Sequence, residues 1–140
     1  MIKYIFILLI GSLLPVTTGC TDTNLTHDIP LVPRPAHLVP GSGNYLFSDK
    51  TVFVVENEEQ AAVAASLISR FTNAAGFTPK LVVGATEKGD VRFVTDASLK
   101  SEAYSLEVSP EEIIVKASGD KGFFYALQTI RQLLPASIER

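Results

Sequence analysis

Between Ser118 and Pro135 the sequence SGDKGFFYALQTIRQLLP spaces Phe123, Leu127, Ile130 and Leu134 at i, i+4, i+7 and i+11. That spacing puts four large apolar side chains on one face of an α-helix. Asp120 is the expected N-cap, Arg131 suits the negative pole near the far end, and Pro135 blocks continuation. Burying the four side chains contributes roughly 6 to 12 kcal/mol before chain entropy is subtracted. A single helix does not hold such a face in water, so a sheet or a second helix must receive it.

A second helix is predicted to start at Asn57. With Gln60 three residues later Asn57 forms an approximate capping box, and Ala61, Ala64, Ala65, Ile68, Phe71 and Ala75 make a helical face that ends at Gly76. Glu58 and Glu59 read as acids placed at the positive helix pole, not as catalysts. Strands are expected at Thr51–Val55, a β-branched and aromatic run, at Lys80–Val83, and at Asp90–Thr95, Tyr104–Val108 and Ile113–Ala117; Tyr45–Phe47 is a short candidate. The turn signal Ser109-Pro110-Glu111-Glu112 makes the last two strands an antiparallel hairpin. Gly84 and Gly89 flank a turn. They lack the Gly-Lys-Ser/Thr or G-x-G-x-x-G context of a phosphate cradle. The order β-α-β-β-β-β-α lacks regular βαβ alternation. It therefore predicts an α+β domain, a mostly antiparallel sheet with two helices packed on one face.

The 140 residues have room for one domain of ordinary size. Lys3 followed by the apolar run Tyr4–Leu14 has the form of an export signal, and the run is short for a membrane span. It ends in Pro15-Val16-Thr17-Thr18-Gly19-Cys20, which resembles the lipobox of bacterial lipoproteins, with Thr17 in place of the usual leucine. That resemblance implies a signal peptide over residues 1–19, a lipid on Cys20, and a location in the cell envelope, anchored to a membrane. Cys20 is the only cysteine, so an intramolecular disulfide is impossible. Removing residues 1–19 takes away only Lys3, leaving 11 basic residues (12 less Lys3) against 15 acidic, a net charge of −4. That balance argues against nucleic acid as a partner. Residues 20–28 are polar and without period, as expected of a tether. Ile29–Gly43, with Pro30, Pro33, Pro35 and Pro40, is expected to be extended or turning at the surface.

Gly122, Phe123, Tyr125, Gln128, Thr129, Gln132 and Leu133 read as G-F-x-Y-x-x-Q-T-x-x-Q-L. This resembles the helix that closes the small N-terminal domain of family 20 glycoside hydrolases, the β-N-acetylhexosaminidases; Ala126 stands where most members have glycine. Ile29–Pro35 (IPLVPRP), Glu102–Val108 (EAYSLEV) and Ile113–Ala117 (IIVKA) resemble the same domain in the same order. The resemblance implies a non-catalytic domain over residues 29–135 and, at 136–140, the start of a linker to a catalytic (β/α)₈ barrel that this sequence does not contain. It also implies that Arg34 is a candidate interdomain contact. In that family the catalytic pair is an adjacent Asp-Glu in the barrel, acting without a cofactor, and the substrate's own 2-acetamido group is the nucleophile. No Asp-Glu dipeptide and no tryptophan occurs here. No catalytic residue is therefore assigned.

Other chemistry finds little support in the residues. His37 has no cysteine or second histidine at metal-ligand spacing, His27 reads as a solvated tether residue, and no G-x-S-x-G accompanies either for a hydrolase triad. Glu111 and Glu112 lie in a turn facing water. The alternative to an enzyme's accessory domain is a stand-alone surface lipoprotein that binds carbohydrate or protein without catalysis, with Tyr45, Phe53, Phe77 and Tyr104 as the aromatics available to stack on sugars.

Overall fold

The computed structural model describes residues 29–84 and 88–139. Its elements are β1 (Val52–Val55), α1 (Glu58–Arg70), β2 (Lys80–Val83), β3 (Val91–Thr95), β4 (Tyr104–Val108), β5 (Ile113–Ala117) and α2 (Asp120–Leu133), followed by a 3-10 turn, Ala136–Glu139. Tyr45–Phe47 is not a strand. Its two rings instead pack edge to face at 4.9 Å, and Phe47 lies 4.6 Å from Phe71, so the segment contributes side chains to the core without joining the ladder.

Helix α1 starts as its sequence dictates. The Asn57 carboxamide oxygen accepts from the Gln60 amide at 2.9 Å, and the Gln60 side chain accepts from the Glu56 amide at 2.8 Å. The inward face is Ala61, Ala64, Leu67, Ile68 and Phe71; Ala65 and Ala75, expected on it, are exposed. The helix ends in a π-helical turn, Phe71–Ala75, and stops at Gly76, whose φ of 73° is left-handed. At the other helix the expected cap moves by one residue. Gly119 occupies the N-cap without a side-chain bond, and Asp120 is in the first turn, where its charge still faces the positive pole.

The sheet runs β2-β1-β3-β5-β4. The β1–β2, β1–β3 and β3–β5 pairings are parallel, and only β4–β5 is antiparallel. The expectation of a mostly antiparallel sheet is therefore corrected, while the hairpin across Ser109–Glu112 forms as its turn predicted. The correction has a topological cause. Helix α1 is the crossover between the parallel neighbours β1 and β2, a βαβ unit. The chain then passes from β2 to β3 in only seven residues, Gly84 to Asp90, bringing Gly89 against Val54. Val54 alternates with the core-facing Phe53 and Val55, so Gly89 lies on the face of β1 opposite the helices. Strand β5 then inserts between β3 and β4.

Phe53, Val55, Val91, Phe93, Ile113, Val115 and Ala117 line the inner face of the sheet and join the inward side chains of both helices in one core. Both helices cover that single face, as expected. Phe93 and Phe123 stack at 5.1 Å with ring planes 9° apart, fastening α2 over the middle of the sheet.

Candidate functional site

The inward side of α2 is Gly122, Phe123, Ala126, Leu127 and Ile130. The opposite side carries Phe124, Tyr125, Gln128, Thr129 and Gln132, because residues at these positions are turned away by the 100° step of the helix. Phe124 and Tyr125 are 48% and 44% exposed and meet edge to face at 5.7 Å. Beside them lies the proline-rich entry segment, where Val32 is 76% exposed.

The polar residues of this side are spent on holding the fold. Gln132 clamps the entry segment: its Oε1 accepts from the Val32 amide at 2.8 Å and its Nε2 donates to the Val32 carbonyl at 2.9 Å. The Tyr104 hydroxyl pairs with Thr129 Oγ1 at 2.6 Å, tying α2 to edge strand β4. Arg131 donates to Gln128 Oε1 and forks onto Glu139 at 3.0 and 2.8 Å, while Arg70 reaches the same carboxylate at 2.7 Å. Those donors hold the Glu139 carboxyl below the usual glutamate range, the Arg131 hydrogen bond being the largest cause. Glycine at 122 has a steric reason, since a Cβ there would stand 2.5 Å from the Ala103 carbonyl oxygen and 2.7 Å from Ala117 Cβ.

Between the entry segment and α2 opens a cleft of about 440 Å³, walled by Val32, Pro33, Tyr104, Tyr125 and the 128, 129 and 132 side chains, with Glu102 at its margin. Glu102 is its only carboxylate, and it faces Lys121 at 3.5 Å. Hydrolysis of a glycosidic bond by paired acids needs two carboxyl groups across the substrate. This cleft offers a largely apolar wall with one acid, suited to covering by another surface.

A model of the family described as glycosyl hydrolase family 20, domain 2, matches residues 28–139. The chain belongs to that family. A beta-hexosaminidase of Porphyromonas gingivalis is 28% identical over 114 residues, covering 79% of this chain and 15% of that protein. Among solved structures, the GH20 exo beta-N-acetylglucosaminidase of Vibrio harveyi in complex with N-acetylglucosamine is similar with a TM-score of 0.67 at 28% identity, over 79% of this chain and 17% of that one. The N-acetyl-beta-hexosaminidase of Streptomyces plicatus is similar with a TM-score of 0.69 at 28% identity, over 76% and 21%. The family 20 domain thus spans about a fifth or less of the length of these relatives.

Within this domain 2 fold, Arg34 is exposed in the entry segment two residues beyond the Gln132 clamp, and His37 is exposed nearby. Cys20 and His27 lie outside the described residues. Glu112 pairs with Arg92 at 3.1 Å on the outer face of the sheet, and Glu111 is exposed. Of the aromatics proposed for sugar stacking, Phe53 is in the core and Tyr45, Phe77 and Tyr104 are partly buried against it. Sequence reasoning missed Phe124 and Tyr125 as exposed aromatics. Their signal was present: two adjacent aromatics fall on the helical side opposite 123, 127 and 130, where polar residues are the rule.

Proposed function

We propose that this chain is the accessory domain of a β-N-acetylhexosaminidase that removes terminal N-acetylhexosamine residues from glycans, and that it braces a catalytic (β/α)₈ barrel without doing chemistry itself. One observation carries the reading: the family's helix motif is used for construction, Gly122, Thr129 and Gln132 each holding a neighbouring element, while Phe124, Tyr125 and Val32 remain as uncovered apolar surface. Such a strip beside a polar rim is what a docking face leaves when its partner is removed. Arg34, exposed and next in sequence to the cleft-lining Pro33, is the cation proposed to meet the barrel. Cys20 is proposed to carry lipid, mooring the enzyme in the cell envelope.

The DNA following codon 140 tests the brace. An in-frame barrel with an adjacent Asp-Glu pair supports it, and a stop codon with no barrel gene nearby overturns it. The full chain alone should release no chromophore from an N-acetylglucosaminide; steady turnover contradicts the assignment of catalysis to the barrel. Replacing Cys20 by Ser should move the protein from the membrane to the soluble fraction, and continued sedimentation with membranes refutes the anchor.

A second reading draws on the same aromatics. Exposed Phe124 and Tyr125 suit stacking on a sugar ring, as in a lipoprotein that binds carbohydrate without catalysis. Calorimetric titration with a chitin oligosaccharide separates the two, because saturable heat abolished by Tyr125→Ala favours binding and its absence favours the brace.

A further inference from the structure

The chain's entry and exit are fastened by consecutive residues of one helix. Val32 is held by both ends of the Gln132 carboxamide, at 2.8 and 2.9 Å. Glu139 is held by the Arg131 fork at 3.0 and 2.8 Å, with Arg70 of α1 closing the other side at 2.7 Å. Each attachment is backed by an apolar anchor one residue away, Leu31 beside Val32 and Ile138 beside Glu139, both buried. The Leu31 amide also donates to the Ile29 carbonyl, and the Ile138 amide to the Pro135 carbonyl, so both segments are turned before they meet the helix. Two segments held at Val32 and Glu139, 107 positions apart in sequence (139 less 32), thus converge on the last turn of α2. A two-point contact fixes direction as well as position, which a single hydrogen bond does not.

We propose that Arg131 and Gln132 form a double clasp that holds the entry segment at Val32 and the exit turn at Glu139 in a fixed mutual orientation. The clasp makes the end of α2 a rigid coupling between whatever precedes residue 32 and whatever follows residue 139. Its use in aiming a barrel relative to a membrane tether rests on the proposed brace; the clasp itself does not.

The test is a pulsed electron spin resonance distance measurement on the full chain carrying Cys20→Ser, with spin labels at Ala36→Cys and Ser137→Cys, both exposed positions. The expected result is one narrow distance distribution. Gln132→Ala should broaden it by freeing the entry, Glu139→Gln should broaden it by loosening the exit, and the two together should broaden it most. The far-UV circular dichroism should stay unchanged, because both side chains are outside the core. A broad distribution in the unsubstituted background overturns the clasp without reference to any variant, as does a width unaffected by both substitutions. Neither result touches the brace, which stands or falls on the sequence beyond codon 140.

Discussion

Gly122 shows how a single position decides between two opposed effects. Alanine favours a helix by about 1 kcal/mol over glycine, and Gly122 lies in the first turn of α2. Its missing Cβ, however, is where the Ala103 carbonyl and the Ala117 methyl approach to 2.5 and 2.7 Å. The first is backbone and the second is a short side chain in a strand, so neither swings aside. Gly122→Ala should therefore lower stability by about 1 to 3 kcal/mol, the usual cost of overpacking. Urea denaturation measures it, and a variant as stable as the parent shows that the helix shifts freely. Glu139 gives a pH-dependent counterpart. Its folded-state pKa is lowered by Arg131 and Arg70, so the ion pairs contribute fully above the ordinary glutamate range and are lost as pH falls through the lowered folded value. Wild type should lose more melting temperature than Glu139→Gln on acidification from neutrality to below that range. The carboxylate is exposed, so the difference should be small; equal losses would mean the pairs contribute nothing.

At the scale of elements, α2 divides its faces sharply enough to be tested by pairs of substitutions. Leu127→Ala, in the core, should cost about 2 to 5 kcal/mol, whereas Gln128→Ala, next in sequence and half-exposed, should cost well under half as much. Denaturant midpoints compare them directly, and similar costs would misplace the inward face. This face was legible because Phe123, Leu127 and Ile130 repeat at the helical period. Asn57 and Gly76 were equally legible, since a cap and a left-handed stop are local chemistry. Strand neighbours were not. Thr51–Val55 reads as a buried run, and near-continuous burial is what a parallel strand requires, yet the order of elements pointed to antiparallel pairing. What escaped was the short β2-to-β3 connection, whose only trace is Gly89, small enough to lie on Val54. Asp120 was misplaced as the cap because Gly119, in extended conformation, offers no side-chain signal. On the candidate site, the motif residues were legible as a group, but their roles as clamps depend on partners 25 and 100 residues away in sequence.

Across the whole molecule the two sides of α2 face different tasks: one closes the core, and the other carries aromatics that core packing does not need. If that outer side docks on a barrel, its contribution to stability should appear only when the partner is attached. Phe124→Glu tests the division. In the isolated chain Phe124 is half-exposed, so the substitution gives up only part of a side chain's burial and should cost about 1 kcal/mol. In a protein that continues into a barrel, the same carboxylate would be buried against apolar surface without a partner, costing several kcal/mol and uncoupling the two domains. Calorimetry of both forms reads the contrast. A single cooperative transition that splits into two on Phe124→Glu, with the isolated domain only slightly destabilised, is the expected outcome. A barrel-linked protein that melts identically with either residue would place the docking face elsewhere on the domain, since solvent on both sides of that ring makes glutamate harmless.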